Sequence, residues 1–348
     1  MPAKETDLKQ QLKEGRLARV YFLYGEESYL AARYAQMIAD KAVGKDSFAE
    51  FNLRKFDGTD FSIEELEDAV EALPLMAERK CVMVRDLDIG ASASTADRVQ
   101  ALLASPPEEC VLVFWMDAVQ PDMKKSARWK AFGAAVDKVG CVVEFPKKTA
   151  GDVAKMLCAG AQRRGSSMTP EVARLLVEQC GNDLNLLLNE LDKLCALAGE
   201  GGVTREHVEQ AATRSLETSV YQLTKELLQN HYQQVYEVLR RLFYQREKPV
   251  MILSVLSGCY VDLYRAKAAA SAGVPAESLA AEFKYRGREF VLRNAARDSA
   301  RLSLQTLRRC LDVLAEADTQ LKSGRADEER GVLEKTVAKL IVLAKSGR

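Results

Sequence analysis

The 348-residue sequence predicts an α/β domain with a mostly parallel five-stranded sheet, followed by a small helical domain and a larger all-α one. Five short runs rich in Val, Phe or Tyr alternate with helical patterns as far as Phe145, and such alternation lays helices over a parallel sheet. Beyond Phe145 no run of comparable strand character follows, and apolar residues recur at three- and four-residue spacing.

The strands are expected at 19–24, 50–56, 80–85, 111–116 and 141–145. The first, Val20-Tyr21-Phe22-Leu23-Tyr24, ends at Gly25 and gives way to helix-forming Ser28-Tyr29-Leu30-Ala31-Ala32-Arg33. A strand, glycine turn and helix start in this order can grip phosphate, because free backbone N–H groups and the positive helix end converge there. Ser62 caps a later helix, Glu65 completes a capping box, and Ile63, Leu66, Val70 and Leu73 fall on one apolar face before Pro74. Residues 146–151 read as a linker, which sets a first domain at 1–146. Thr169-Pro170 opens the next helix and Gly181 closes it. Leu184, Leu187, Leu188, Leu191, Leu194, Cys195 and Ala198 then mark a buried helical face. These helices and one after Thr204 form a domain at 147–214. Long amphipathic helices broken near Pro249, Gly273 and Gly287 form a third at 215–348.

Fifty Lys and Arg balance fifty Asp and Glu, so no global field draws the chain to nucleic acid or anionic lipid. The eight cysteines lack a C-x-x-C pair and mostly lie in apolar runs, as buried thiols of a reducing compartment do. The opening residues have no signal-peptide core and no apolar run reaches membrane-spanning length, so a cytoplasmic protein is expected. His207 and His231 lack partners at zinc spacing, and no glycine-flanked serine marks a hydrolase. No metal and no cofactor is expected.

The glycine-turn sheet domain, the stretch TPEVARLLVEQCGNDLNLLLNELDKL and the stretch ADTQLKSGRADEERGVLEKTVAKLI together resemble the delta subunits of the bacterial DNA polymerase III clamp loader. Gly181-Asn182-Asp183-Leu184 and Leu321-Lys322-Ser323-Gly324 are the more specific markers. The resemblance implies an AAA+-type domain with a helical lid, then a collar that assembles with the gamma/tau and delta prime subunits. It implies that the chain grips the sliding clamp (beta), favours its opened form and supports loading onto primed DNA, as an accessory subunit without catalysis of its own. An ATPase with an unorthodox nucleotide site and a helical scaffold protein are the alternatives.

A working P-loop reads G-x-x-x-x-G-K-[ST]; here Gly25 is followed by Glu26 and Glu27, with Leu30, Ala31 and Ala32 where glycine, lysine and hydroxyl belong. Two carboxylates facing a triphosphate would each cost on the order of a few kcal/mol, so ATP is not expected at Gly25, Glu26 and Glu27. First-turn acids that stabilise the helix start are the plainer reading. By the resemblance, Asp86 stands where AAA+ proteins carry their first acid and Leu87 replaces the catalytic glutamate. It also places the clamp-binding residues at Leu73, Leu75 and Met76, with Pro74 opening a new turn that projects the pair Leu75-Met76; packing under the sheet is the alternative. Arg286, Arg288, Arg293, Arg297 and Arg301 form a basic stripe, the last three at four-residue spacing on one helical face. It suits DNA phosphates, or equally a solvated face or ion pairs to neighbouring subunits, and Tyr285 is a candidate to stack on a base.

Overall fold

The computed structural model describes residues 3–44, 49–58, 60–283, 285, 289–323 and 328–346. The chain divides into two compact units, Met1–Val153 and Ala154–Arg348.

In the first unit, α1 (Glu5–Glu14), β1 (Val20–Tyr24), α2 (Ser28–Val43), β2 (Leu53–Asp57), α3 (Ile63–Glu71) and β3 (Lys80–Arg85) come first. They are followed by α4 (Ala93–Ala104), β4 (Cys110–Trp115), α5 (Ala127–Val139) and β5 (Gly140–Glu144). The five strands order as β2-β3-β4-β1-β5, and every neighbouring pair is parallel. All five residues of β1 are buried, as a central strand covered on both faces requires. Val20, Phe22, Val82, Val84, Leu112 and Phe114 pack with Leu66 and Val70 of α3, Val99 of α4 and Trp129, Phe132 and Val136 of α5. The alternate residues face α2, which lies against β1, β3 and β4.

The second strand starts later than its composition suggests. Residues 49–52 are a turn, with the Leu53 N–H donating to Glu50 O at 3.4 Å, and the ladder to β3 begins only at Leu53. Glu50 and Phe51 are exposed, so the apolar ring of Phe51 misled the strand boundary.

The chain passes into the second unit within α6 (Ala150–Arg163). Then come α7 (Pro170–Cys180), α8 (Leu184–Ala198) and α9 (Arg205–Ala211), and the closing turns of α7 and α9 meet where Gln179 Nε2 donates to Val208 O and Ala212 O. The remaining helices are α10 (Leu216–Gln229), α11 (Tyr232–Tyr244), α12 (Pro249–Ser271), α13 (Glu289–Asp298), α14 (Leu304–Ser323) and α15 (Glu329–Ser346). They share one core around α12, with Leu256, Tyr260 and Leu263 packed on Leu307, Cys310, Leu314 and Val337. Pro249 is the first residue of α12, where its missing N–H costs no helical bond. All eight cysteines are free, six of them buried, and burial lifts the Cys110 and Cys141 thiols to about 11.

Candidate functional site

The exposed apolar corner begins where α3 stops. Ser62 caps this helix from one end, accepting from the Glu65 N–H at 3.2 Å while the Glu65 carboxylate accepts from the Ser62 N–H at 2.8 Å. At the other end Ala72 turns to extended dihedrals and regular structure resumes only at Lys80. Between them Leu73, Leu75 and Met76 are 82%, 49% and 78% exposed. Leu73 therefore does not continue the apolar face of Ile63, Leu66 and Val70, because the helix ends two residues before it. Nor does Pro74 open a helical turn: residues 75–78 form bends, with Met76 at a φ of 48°. That left-handed backbone costs an L-residue about 1–2 kcal/mol.

Two buried polar side chains hold this corner. Asn52 is 3% exposed; its Nδ2 donates to Leu75 O at 2.9 Å and its Oδ1 accepts from the Leu75 N–H at 2.7 Å. Lys80, the first residue of β3, is also buried, and its Nζ donates to Ala69 O at 2.7 Å and to Ala72 O. Burial draws the Lys80 ammonium below the usual lysine range.

At the end of β1 the glycine turn is closed upon the chain that follows β5. Gly25 has a φ of 131°, and a Cβ there would stand 2.3 Å from Phe145 O, so only glycine fits. The Glu27 N–H donates to Phe145 O at 3.0 Å, and Glu27 Oε1 accepts from the Lys148 N–H at 2.8 Å with Lys147 Nζ at 3.5 Å. Glu27 is buried and Glu26 exposed. Neither carboxylate lies in the first turn of α2; Glu27 is its N-cap, without a side-chain cap bond. Leu30 and Ala31, in the places of the second glycine and the lysine, are core residues. These residues do not fit a nucleotide phosphate.

Beyond the end of β3, Asp86 is 9% exposed with a φ of 52°. Its Oδ1 accepts from the N–H groups of Asp117, Ala118 and Val119 at 2.8, 3.0 and 3.0 Å. Burial opposes its charge, but these donors and Arg85 hold its carboxyl below the usual aspartate range. Arg85 also reaches Asp117 at 3.0 Å and lies 5.6 Å from the centre of the Trp115 ring. A carboxylate engaged this way fixes the loop after β4 and has no open face for a metal. Leu87 is buried in the core.

In the second unit, Arg286 and Arg288 lie outside the described residues. Arg293 and Arg297 are exposed one turn apart on α13, but that helix ends at Asp298. Arg301 follows in the turn before Ser303, whose Oγ accepts from the Thr306 N–H at 3.0 Å, so the three arginines do not share one helical face. Arg297 Nε sits 3.1 Å from Asp298 Oδ1. Tyr285 is buried, its hydroxyl donating to Asp262 and accepting from Arg265 at 2.9 Å, so its ring is not presented to a base.

Sequence reasoning missed Asn52, Lys80 and Arg85. Lys80 alone carried a signal, a charge at the head of an otherwise apolar run.

Residues 21–144 match the family described as "DNA polymerase III, delta subunit", and residues 217–340 match "DNA polymerase III delta subunit, C-terminal domain". The DNA polymerase III subunit delta of Bacillus subtilis (strain 168) is 25% identical over 332 residues, which cover 93% of each chain. The solved structure of the Bacillus subtilis DNA clamp loader delta protein (YqeN) has a similar fold, with a TM-score of 0.62 and 23% identity over 97% of this chain and 99% of that one. The two family matches take in nearly the whole parallel sheet and most of the helices packed around α12, and on that ground the chain belongs to the DNA polymerase III delta subunit family.

Proposed function

We propose that this chain is the clamp-gripping subunit of a clamp loader, and that Leu73, Leu75 and Met76 are its contact with the sliding clamp. The exposed corner carries this reading: three large apolar side chains stand in water on a domain whose other apolar residues are mostly buried. Each anchor that enters a partner pocket contributes about 1.5–3 kcal/mol, so the pair Leu75 and Met76 suffices for a binding hot spot. Methionine suits this place because its unbranched thioether adapts to an irregular pocket.

Opening of the ring follows from differential affinity. A subunit that holds the sprung ring better than the closed one shifts the population by the ratio of the two affinities and needs no nucleotide of its own. Gly25, Glu26 and Glu27 are accordingly proposed to bind no ATP, a reading supported by the closure of the turn on Phe145 and Lys148. The helices of 147–214 serve as the lid and those of 215–348 as the collar that joins the gamma/tau and delta prime subunits around primed DNA. We place the protein in the cytoplasm; among the described residues no helix is long and apolar enough to cross a membrane.

Pull-down with purified sliding clamp tests the corner: the double variant Leu75→Ala, Met76→Ala should lose binding while still co-purifying with the other loader subunits. Undiminished binding removes the proposed contact. Titration calorimetry with magnesium and ATP tests the turn, and micromolar binding there would favour an ATPase instead.

A further inference from the structure

Asn52 lies just ahead of β2, with its own N–H donating to Ala49 O at 3.2 Å and its carbonyl accepting from the Cys81 N–H at 2.8 Å. The residue is thus fixed to the head of the sheet. From there its side-chain amide reaches 23 positions along the chain and matches both backbone groups of Leu75, as a paired strand would. What it secures is a segment with exposed apolar side chains and one left-handed, non-glycine residue, Met76. Such a corner adds little to the core. Holding it costs strain and the burial of an amide, a combination that belongs to a surface kept ready for a partner.

We propose that Asn52 is a positioning residue for clamp binding: it sets Leu75 and Met76 in their binding geometry before the clamp arrives. Lys80 supports the same corner from its other end through Ala69 O and Ala72 O. Asn is suited to the place for a chemical reason. Aspartate keeps an acceptor for the Leu75 N–H but sets a negative charge against the Leu75 carbonyl, and alanine leaves both groups without this partner. The inference rests on the corner being the clamp contact, and the experiment separates the two.

Binding of the full chain to purified sliding clamp is measured for the wild type, Asn52→Ala, Asn52→Asp and the double variant Leu75→Ala, Met76→Ala, with co-assembly with the other loader subunits as the control. Both Asn52 variants should bind the clamp about tenfold more weakly, chiefly through faster dissociation, with co-assembly unchanged. If the double variant loses the clamp while Asn52→Ala stays within about twofold of the wild type, the positioning role fails and the contact stands. If the double variant binds like the wild type, the contact itself fails. Should either Asn52 variant not fold, amide exchange on the wild-type chain decides: the Leu75 N–H should exchange at least about tenfold more slowly than an unstructured amide, and free exchange there overturns the proposal.

Discussion

Met76 and Asp86 both hold left-handed backbone in the first unit, with φ of 48° and 52°, yet their surroundings differ sharply. The carboxylate of Asp86 collects three backbone N–H groups, whereas the Met76 side chain is 78% exposed. Met76→Gly should therefore unfold no more easily than the wild type and gain up to about 1 kcal/mol in urea unfolding, while it weakens clamp binding. A loss of stability would show that the methionine packs within its own domain. Asp86→Asn should go the other way. Hydrogen bonds to a charged acceptor are each worth about 1.5–3 kcal/mol, so replacement should cost roughly 2–3 kcal/mol at neutral pH after partial retention by the amide oxygen. The folded carboxyl titrates below its unfolded value near 3.9, so its stabilisation is complete above that pH and fades as pH falls through the folded value. Wild type and variant should then converge on acidification; a gap that persists at the lowest pH would assign the difference to packing and not to charge.

At the scale of elements, what is local in sequence was readable and what is set by sheet register was not. The capping box of α3 was legible because Ser62 and Glu65 stand three residues apart, and Thr169-Pro170 announced α7 for the same reason. Ser62→Ala should cost about 1 kcal/mol in thermal or urea unfolding. It should leave clamp affinity nearly unchanged, since the corner is held at the far end of α3 by Lys80 and Asn52; a parallel loss of affinity would mean that the whole helix orients the corner. The exposed residues of that corner were named from the family resemblance, but the device that holds them was not. Asn52 meets Leu75 ahead of β2 and β3, and Glu27 meets Lys148 across 121 positions beyond β1 and β5, only because parallel strands bring distant segments together at each end of the sheet. Periodicity also overran two boundaries. Leu73 fits the apolar spacing of α3 and Arg301 the basic spacing of α13, yet α3 ends at Glu71, ahead of Pro74, and α13 ends at Asp298, so neither helix reaches the residue.

Across the whole molecule the fifty basic and fifty acidic side chains cancel, so attraction to DNA has to come from a local arrangement of charge. We propose Arg293, Arg297 and Arg301 as such an arrangement, though not an equal one. Arg297 shares its charge with Asp298, which also accepts from the Tyr221 hydroxyl at 3.1 Å, while Arg293 and Arg301 are exposed. Each phosphate neutralised on duplex DNA contributes about 0.9 to the slope of log affinity against log salt. In the assembled loader on primed DNA, Arg293→Ala and Arg301→Ala should therefore each make the slope less negative by up to about one. Arg297→Ala should change it less, because that cation is already paired with Asp298 and neutralises less phosphate charge than an unshared one. The loss should be uniform across DNA sequences, as phosphate contacts carry no base information. Slopes that stay at the wild-type value in all three variants would make the arginines a solvated face or partners of neighbouring subunits. Reduced co-assembly in the same variants would then separate those two.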